Sequence, residues 1–127
     1  MKSLLLVAHG SRREASNQEV RTITKILQKN NQQQETADFV AIRCAFLELA
    51  SPSIPEGIDQ CIETQTETII VMPYFLSAGR HVSIDIPEIV AKKQAEYPNK
   101  EIILASHLGA IEEIPDLILS SLQSLKL

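Results

Sequence analysis

Apolar residues in this chain follow two alternating patterns, and the alternation predicts the architecture. The continuous runs Ser3–Ala8 and Thr68-Ile69-Ile70-Val71-Met72 read as strands buried on both faces, as in parallel sheets. Between them the spacing turns helical: Val20, Ile23, Ile26 and Leu27 form one stripe of a helix from about Glu14 to Lys29. The polar Asn30-Asn31 and the glutamines after it mark that helix's end. Three more strand-then-helix units follow. Strand 38–46 leads to a helix from about Ile54 to Thr64, opened by Ser53 and Glu56 in capping-box spacing. Strand 67–74 and the loop Phe75 to Arg80 lead to a helix reaching Tyr97, where Pro98 stops it. Strand 101–105 leads to a last helix from about Glu112 to Leu125. Such alternation implies parallel strands joined by right-handed crossovers. The expected fold is a flavodoxin-like, three-layer α/β/α sandwich on a four-stranded parallel sheet, as one domain over residues 1–127. Leu117, Ile118, Leu122 and Leu125 give the last helix enough apolar surface to cover the sheet, with any surplus free for an interface.

Composition narrows the functional classes. No apolar stretch is long enough to span a membrane and the N-terminus lacks a signal-peptide pattern, so a cytoplasmic protein without membrane contact is expected. Cys44 and Cys61 fall at no metal or redox spacing and read as buried free thiols. A net charge of −4 and 4% aromatic residues argue against nucleic acid as a partner. Arg12, Arg13, Arg43 and Arg80 lie in or near the segments that close the strands, where local cations can still hold carboxylates. There is no GxGxxG and no Walker sequence, so neither a dinucleotide nor ATP is indicated.

The residues suited to chemistry gather at strand ends. His9 follows the first apolar run, and Gly10 lets the chain turn sharply there. His81 follows the third. Open α/β sheets bind ligands at the carboxyl ends of their strands. Two imidazoles arriving at that edge are candidate metal ligands, proton acceptors, or both. Glu48, between Leu47 and Leu49, is a carboxylate at a strand end, and the rim is a cheaper place for it than the interior. Asp85 and Glu88 stand one and two turns beyond His81. Beside Pro87 the pair also fits a helix cap, which is the favoured reading for Glu88, while Asp85 stays open. His107 also follows a strand, and surface imidazole is its default.

Three ordered segments resemble one family. Leu5-Leu6-Val7-Ala8-His9-Gly10-Ser11-Arg12, Ala45-Phe46-Leu47-Glu48-Leu49-Ala50-Ser51-Pro52-Ser53 and Pro73-Tyr74-Phe75-Leu76-Ser77-Ala78-Gly79-Arg80-His81-Val82-Ser83-Ile84-Asp85-Ile86-Pro87 are similar to the CbiX/SirB class of tetrapyrrole chelatases. The resemblance implies ATP-independent insertion of divalent cobalt, iron or nickel into sirohydrochlorin, in cobalamin, siroheme or nickel-tetrapyrrole synthesis. The metal would be a substrate, and no permanently bound cofactor is expected. The resemblance makes His9 and His81 the metal pair, with His9 also the proton acceptor. Glu48 matches the acidic position of the second motif, and Phe75, Leu76, Ser77, Ala78, Gly79 and Arg80 match the segment lining the tetrapyrrole. Ser11 and Arg12 are candidate contacts to substrate carboxylates, and His107 matches no motif. Relatives are two-domain chains or half-length chains that pair, so a homodimer is expected.

The chemistry agrees with this. Metal insertion removes two pyrrole N–H protons while a partly desolvated ion is handed over, and neutral imidazole suits both tasks. A non-catalytic metal- or tetrapyrrole-carrier on the same fold is the alternative. A receiver-type signalling domain would need an acidic cluster after the first strand, which the chain lacks.

Overall fold

The structure, a computed structural model, describes residues 1–125. Four parallel strands form the sheet: β1 (Lys2–Ala8), β2 (Ala41–Phe46), β3 (Thr68–Pro73) and β4 (Glu101–Leu104), in the order β2-β1-β3-β4. The helices are α1 (Glu14–Gln32), α2 (Ile54–Ile62), α3 (Ile86–Glu96) and α4 (Ile114–Ser121). A π-helical turn, His81–Asp85, runs directly into α3, and a 3-10 turn, Leu108–Ala110, precedes α4. The predicted doubly wound α/β fold is therefore the observed one. β2 is shorter than the expected 38–46, because Asp38, Phe39 and Val40 come before its ladder with β1, which begins at Ala41.

The order of the strands decides where helices go. β1 to β2 runs one way along the sheet, whereas β2 to β3 and β3 to β4 run the other way. Right-handed crossovers then put α1 on one face and both α2 and α3 on the opposite face. Leu5, Val7, Ala45, Ile69, Val71 and Ile102 meet Ile54, Ile58, Ile86 and Val90 in the larger core, beneath α2 and α3. A smaller cluster beneath α1 joins Leu6, Ala8 and Phe46 to Val20. The capping box forms as the sequence predicts: Ser53 Oγ accepts from the Glu56 amide, and Glu56 accepts from the Ser53 amide. Asp59 on α2 accepts from Lys93 Nζ at 2.9 Å and Tyr97 Oη at 2.8 Å, tying α2 to α3.

One expectation fails. The last helix does not cover the sheet: α4 has no buried residue, and Leu117, Ile118, Leu119 and Leu122 are 52–66% exposed. Its apolar periodicity is real, but the Ala105–Glu113 segment carries the helix away from the sheet. Cys61 is buried and Cys44 only half-buried, both as free thiols. Burial raises the Cys61 thiol to about 11, which keeps it protonated and inert.

Candidate functional site

His9 and His81 hang from the two strands that flank the point where the winding direction reverses. That crevice, between β1 and β3 at the carboxyl rim, is where doubly wound sheets hold ligands. The imidazole rings stack, with centroids 4.7 Å apart and planes 30° from parallel.

Local backbone constraints bring His9 there. After Ala8 the chain turns at Gly10, whose φ is +94°, and a Cβ at that position would lie 1.7 Å from the Glu48 carbonyl oxygen. Glycine is required, because the segment after β2 passes through the space a side chain would fill. The same approach forms two hydrogen bonds: the Leu47 amide donates to Ala8 O, and the Glu48 amide to His9 O. Glu48 is thereby pinned beside His9, its Oε1 3.4 Å from His9 Nε2, with both side chains about half exposed. The carboxylate lies at the rim, not in the core.

Beyond Gly10, Asn17 clamps the loop. Its Oδ1 accepts from the Ser11 amide at 2.9 Å and its Nδ2 donates to Ser11 O at 2.8 Å. Buried Asn17 thus fixes the course from His9 into α1. Sequence reasoning overlooked it; the available signal was an asparagine six residues past a Gly-Ser turn, among otherwise helical spacing. Ser11 Oγ accepts from the Arg13 amide, and Arg12 is exposed beside it.

His81 is held differently. It opens the π-helical turn, and its Nδ1 lies 2.8 Å from Asp85 Oδ2. A carboxylate can only accept, so Nδ1 is the donor, and in the neutral ring the lone pair is then on Nε2. The Asp85-x-x-Glu88 capping box does not form. Asp85 has helical dihedrals, φ −64° and ψ −49°, and its carboxylate turns back to His81 instead of reaching forward to amides. Glu88 lies exposed in the first turn of α3.

Phe75 is half-buried, packs against the larger core and sits with its ring 6.5 Å from His81. Leu76, Ser77, Ala78, Gly79 and Arg80 are exposed on the same loop. Its course is fixed by the 3-10 turn, where the Gly109 amide donates to Phe75 O at 3.0 Å. His107 caps that turn without a ring or hydrogen-bond contact to the imidazole pair. Arg43 is not a rim residue: it sits mid-strand opposite Leu5. Among the described residues, no three His, Cys, Asp or Glu side chains converge closely enough to hold a metal ion. The rim therefore presents an open site: two imidazoles, two carboxylates and an exposed loop.

The family model CbiX matches residues 3–125, and the chain belongs to the CbiX family. It is 34% identical over 119 residues to the sirohydrochlorin ferrochelatase of Priestia megaterium, covering 93% of this chain and 42% of that protein. It is 33% identical over 90 residues to the sirohydrochlorin cobaltochelatase of Methanopyrus kandleri, covering 71% of this chain and 59% of that one. The chain spans about half the length of the curated relatives it matches. The sirohydrochlorin chelatase SirB from Bacillus subtilis subspecies spizizenii, solved with cobalt, superposes with a TM-score of 0.79 at 27% identity, over 98% of this chain and 50% of that one. A CbiX protein of Marinobacter aquaeolei matches nearly end to end: TM-score 0.72, 26% identity, 97% of this chain and 95% of that one.

Proposed function

We propose that the protein inserts a divalent metal ion, cobalt, iron or nickel, into sirohydrochlorin without ATP, and that it acts as a homodimer. The stacked His9–His81 pair at the β1/β3 rim carries this reading. Relatives named as ferrochelatases and cobaltochelatases, and the cobalt-bound SirB structure, support the substrate class.

The residues divide the work by how they are held. His81, oriented by Asp85, presents Nε2 as a metal ligand of fixed direction. His9, with a looser partner in Glu48, binds the metal and, as the ion passes into the macrocycle, accepts one of the two pyrrole protons, the other leaving to solvent at the open rim. Glu48 stabilises the imidazolium so formed. A site of two imidazoles is weak enough to release its ion, as a donor of metal must be. Phe75 and the exposed loop to Arg80 lie against one side of the macrocycle, and Arg12, Arg80 and Ser11 hold its carboxylates. A single rim is too shallow to enclose such a ligand, whereas two rims facing across a two-fold axis form a cleft.

The test is direct. Purified protein is mixed with sirohydrochlorin and each of Co2+, Fe2+ and Ni2+ in turn, and the macrocycle absorbance is followed. Catalysed conversion with at least one metal is the expected result. Binding of sirohydrochlorin or metal with no rate above the protein-free mixture would identify a carrier instead.

A further inference from the structure

Arg43, which the imidazole rim leaves aside, has chemistry of its own. It is half-buried on β2, and its Nε is fully buried with no hydrogen-bond partner among the described residues. A buried guanidinium N–H without an acceptor is costly and rare, so such an atom marks a place where an acceptor belongs. The acidic side chains do not supply one, since Arg43 has no ion-pair partner among the described residues.

The residue lines a cavity of about 570 Å³ along the free edge of β2, a volume that suits a small organic ligand. Arg21 and Lys25 of α1 and Gln60 of α2 also line it. Three lining residues are cations and none is Asp or Glu, in a chain of net charge −4. Arg21 is paired with Glu14, whereas Lys25, like Arg43, has no carboxylate partner among the described residues. A cleft lined by one sign of charge draws anions even to an acidic protein.

The backbone adds donors. β2 is an edge strand, so alternate residues turn their main-chain groups away from β1. Gln28 Nε2 donates to Ile42 O at 2.7 Å and the Phe46 amide to Pro52 O at 2.8 Å, which identifies Ile42, Cys44 and Phe46 as the outward set. The Ile42 and Cys44 amides find no acceptor on that side among the described residues. The opening is too short to pair a further strand. Gln28 covers Ile42 O at one end, and Ser53 bridges to Phe46 at the other. The wall is firm as well: Asn31 donates to Phe39 O at 2.8 Å and accepts from the Phe39 amide at 3.2 Å. Phe39 and Val40 make that wall apolar.

We infer that the β2 edge is a second ligand site, separate from the imidazole rim, that takes a small organic anion. Its carboxylate or phosphoryl oxygens meet Arg43, Lys25 and the Ile42 and Cys44 amides, and its carbon body lies against Phe39 and Val40. Neither His9 nor His81 lines this cavity, so the inference holds or fails independently of metal insertion.

Nitrogen-15 NMR of the arginine Nε–Hε groups and backbone amides tests it. The intact chain is titrated separately with inorganic phosphate, citrate and benzoate, each against sodium chloride at equal ionic strength. The phosphate arm reports phosphoryl recognition and the other two carboxylate recognition. Saturable movement of the Arg43 Nε–Hε, Ile42 and Cys44 signals with at least one oxyanion is expected, with the His9 and His81 amides unmoved. Arg43→Met keeps the apolar stem and should weaken that binding about tenfold or more, read at the Ile42 and Cys44 amides. Lys25→Gln changes an exposed side chain, so the fold should survive even if Arg43→Met disturbs it, and a loss of about two- to fivefold is expected. Signals that no oxyanion moves would leave Arg43 to solvent water and overturn the site. Equal movement with chloride, or parental affinity in either variant, would overturn it too.

Discussion

His9 and His81 reach the same point of the rim by different routes. On the β1 side the imidazole is placed by backbone: a glycine at φ +94°, two inter-segment amide bonds and the Asn17 clamp fix where the chain goes. The ring itself has a carboxylate only at 3.4 Å. On the β3 side the backbone is an exposed loop and a π-helical turn, yet the ring is tied to Asp85 at 2.8 Å. One side places its ring through main-chain contacts and holds the ring itself loosely; the other ties its ring directly to a neighbouring carboxylate. A proton acceptor must change its bonding partner during a turnover, while a metal ligand gains from fixed direction. In the proposed mechanism the difference suits His9 to accepting the proton and His81 to holding the metal.

Removing either ring should have the largest effect. His9→Ala and His81→Ala are each expected to slow metal insertion by on the order of a hundredfold or more. Both side chains are about half exposed, so the thermal melting curves should stay near the parent's. Parental rates in both variants would sink the proposed mechanism. Gly10→Ala attacks the β1 side through its backbone. The new Cβ meets the Glu48 carbonyl and an unfavourable φ, so a stability loss of about 1–3 kcal/mol is expected in denaturant titration, together with displacement of Glu48 from His9. An unchanged midpoint would mean that the close approach is not maintained in solution.

Asp85→Ala probes the β3 side. Losing the orienting carboxylate is expected to weaken metal affinity and insertion by about 10- to 100-fold, and Asp85→Asn, which keeps an acceptor oxygen, should recover part of it. If Asn did no better than Ala, charge and not orientation would be the contribution. The smallest effect belongs away from the rim, at Asp59 between α2 and α3. The Lys93 ammonium holds the Asp59 carboxyl below the usual carboxylate range. Its contribution is therefore present above the unfolded-state value near about 3.9 and is lost as pH falls through the lower folded value. Asp59→Asn should cost under about 1 kcal/mol at neutral pH, since the carboxylate is partly exposed, and the deficit should vanish in acid with no change in insertion rate.

The sequence made the strand ends legible because buried runs followed by Gly10 or by a glycine-containing loop leave little choice about where His9 and His81 lie. Glu48 was also readable, as a charge among apolar neighbours at the end of β2. Asp85 was not, since spacing by 3.6 residues cannot tell a cap from a π-helical turn whose carboxylate points backwards. Asn17 escaped because its work is done on the Ser11 backbone, which carries no side-chain signature. The last helix shows a different limit: periodicity identified an apolar face, but that face stays exposed, and the segment leading into the helix is anchored at Gly109 by a tertiary contact.

The chain has three histidines, and that number allows one decisive measurement. Nitrogen-15 NMR of the imidazoles during titration with Zn2+, a diamagnetic stand-in with the same liking for imidazole, reports direct coordination by each ring. The Nε2 resonances of His9 and His81 should move together and His107 should stay in place. Movement of His107 alone, or of none of the three while the metal binds, would contradict a metal site built on the His9–His81 pair.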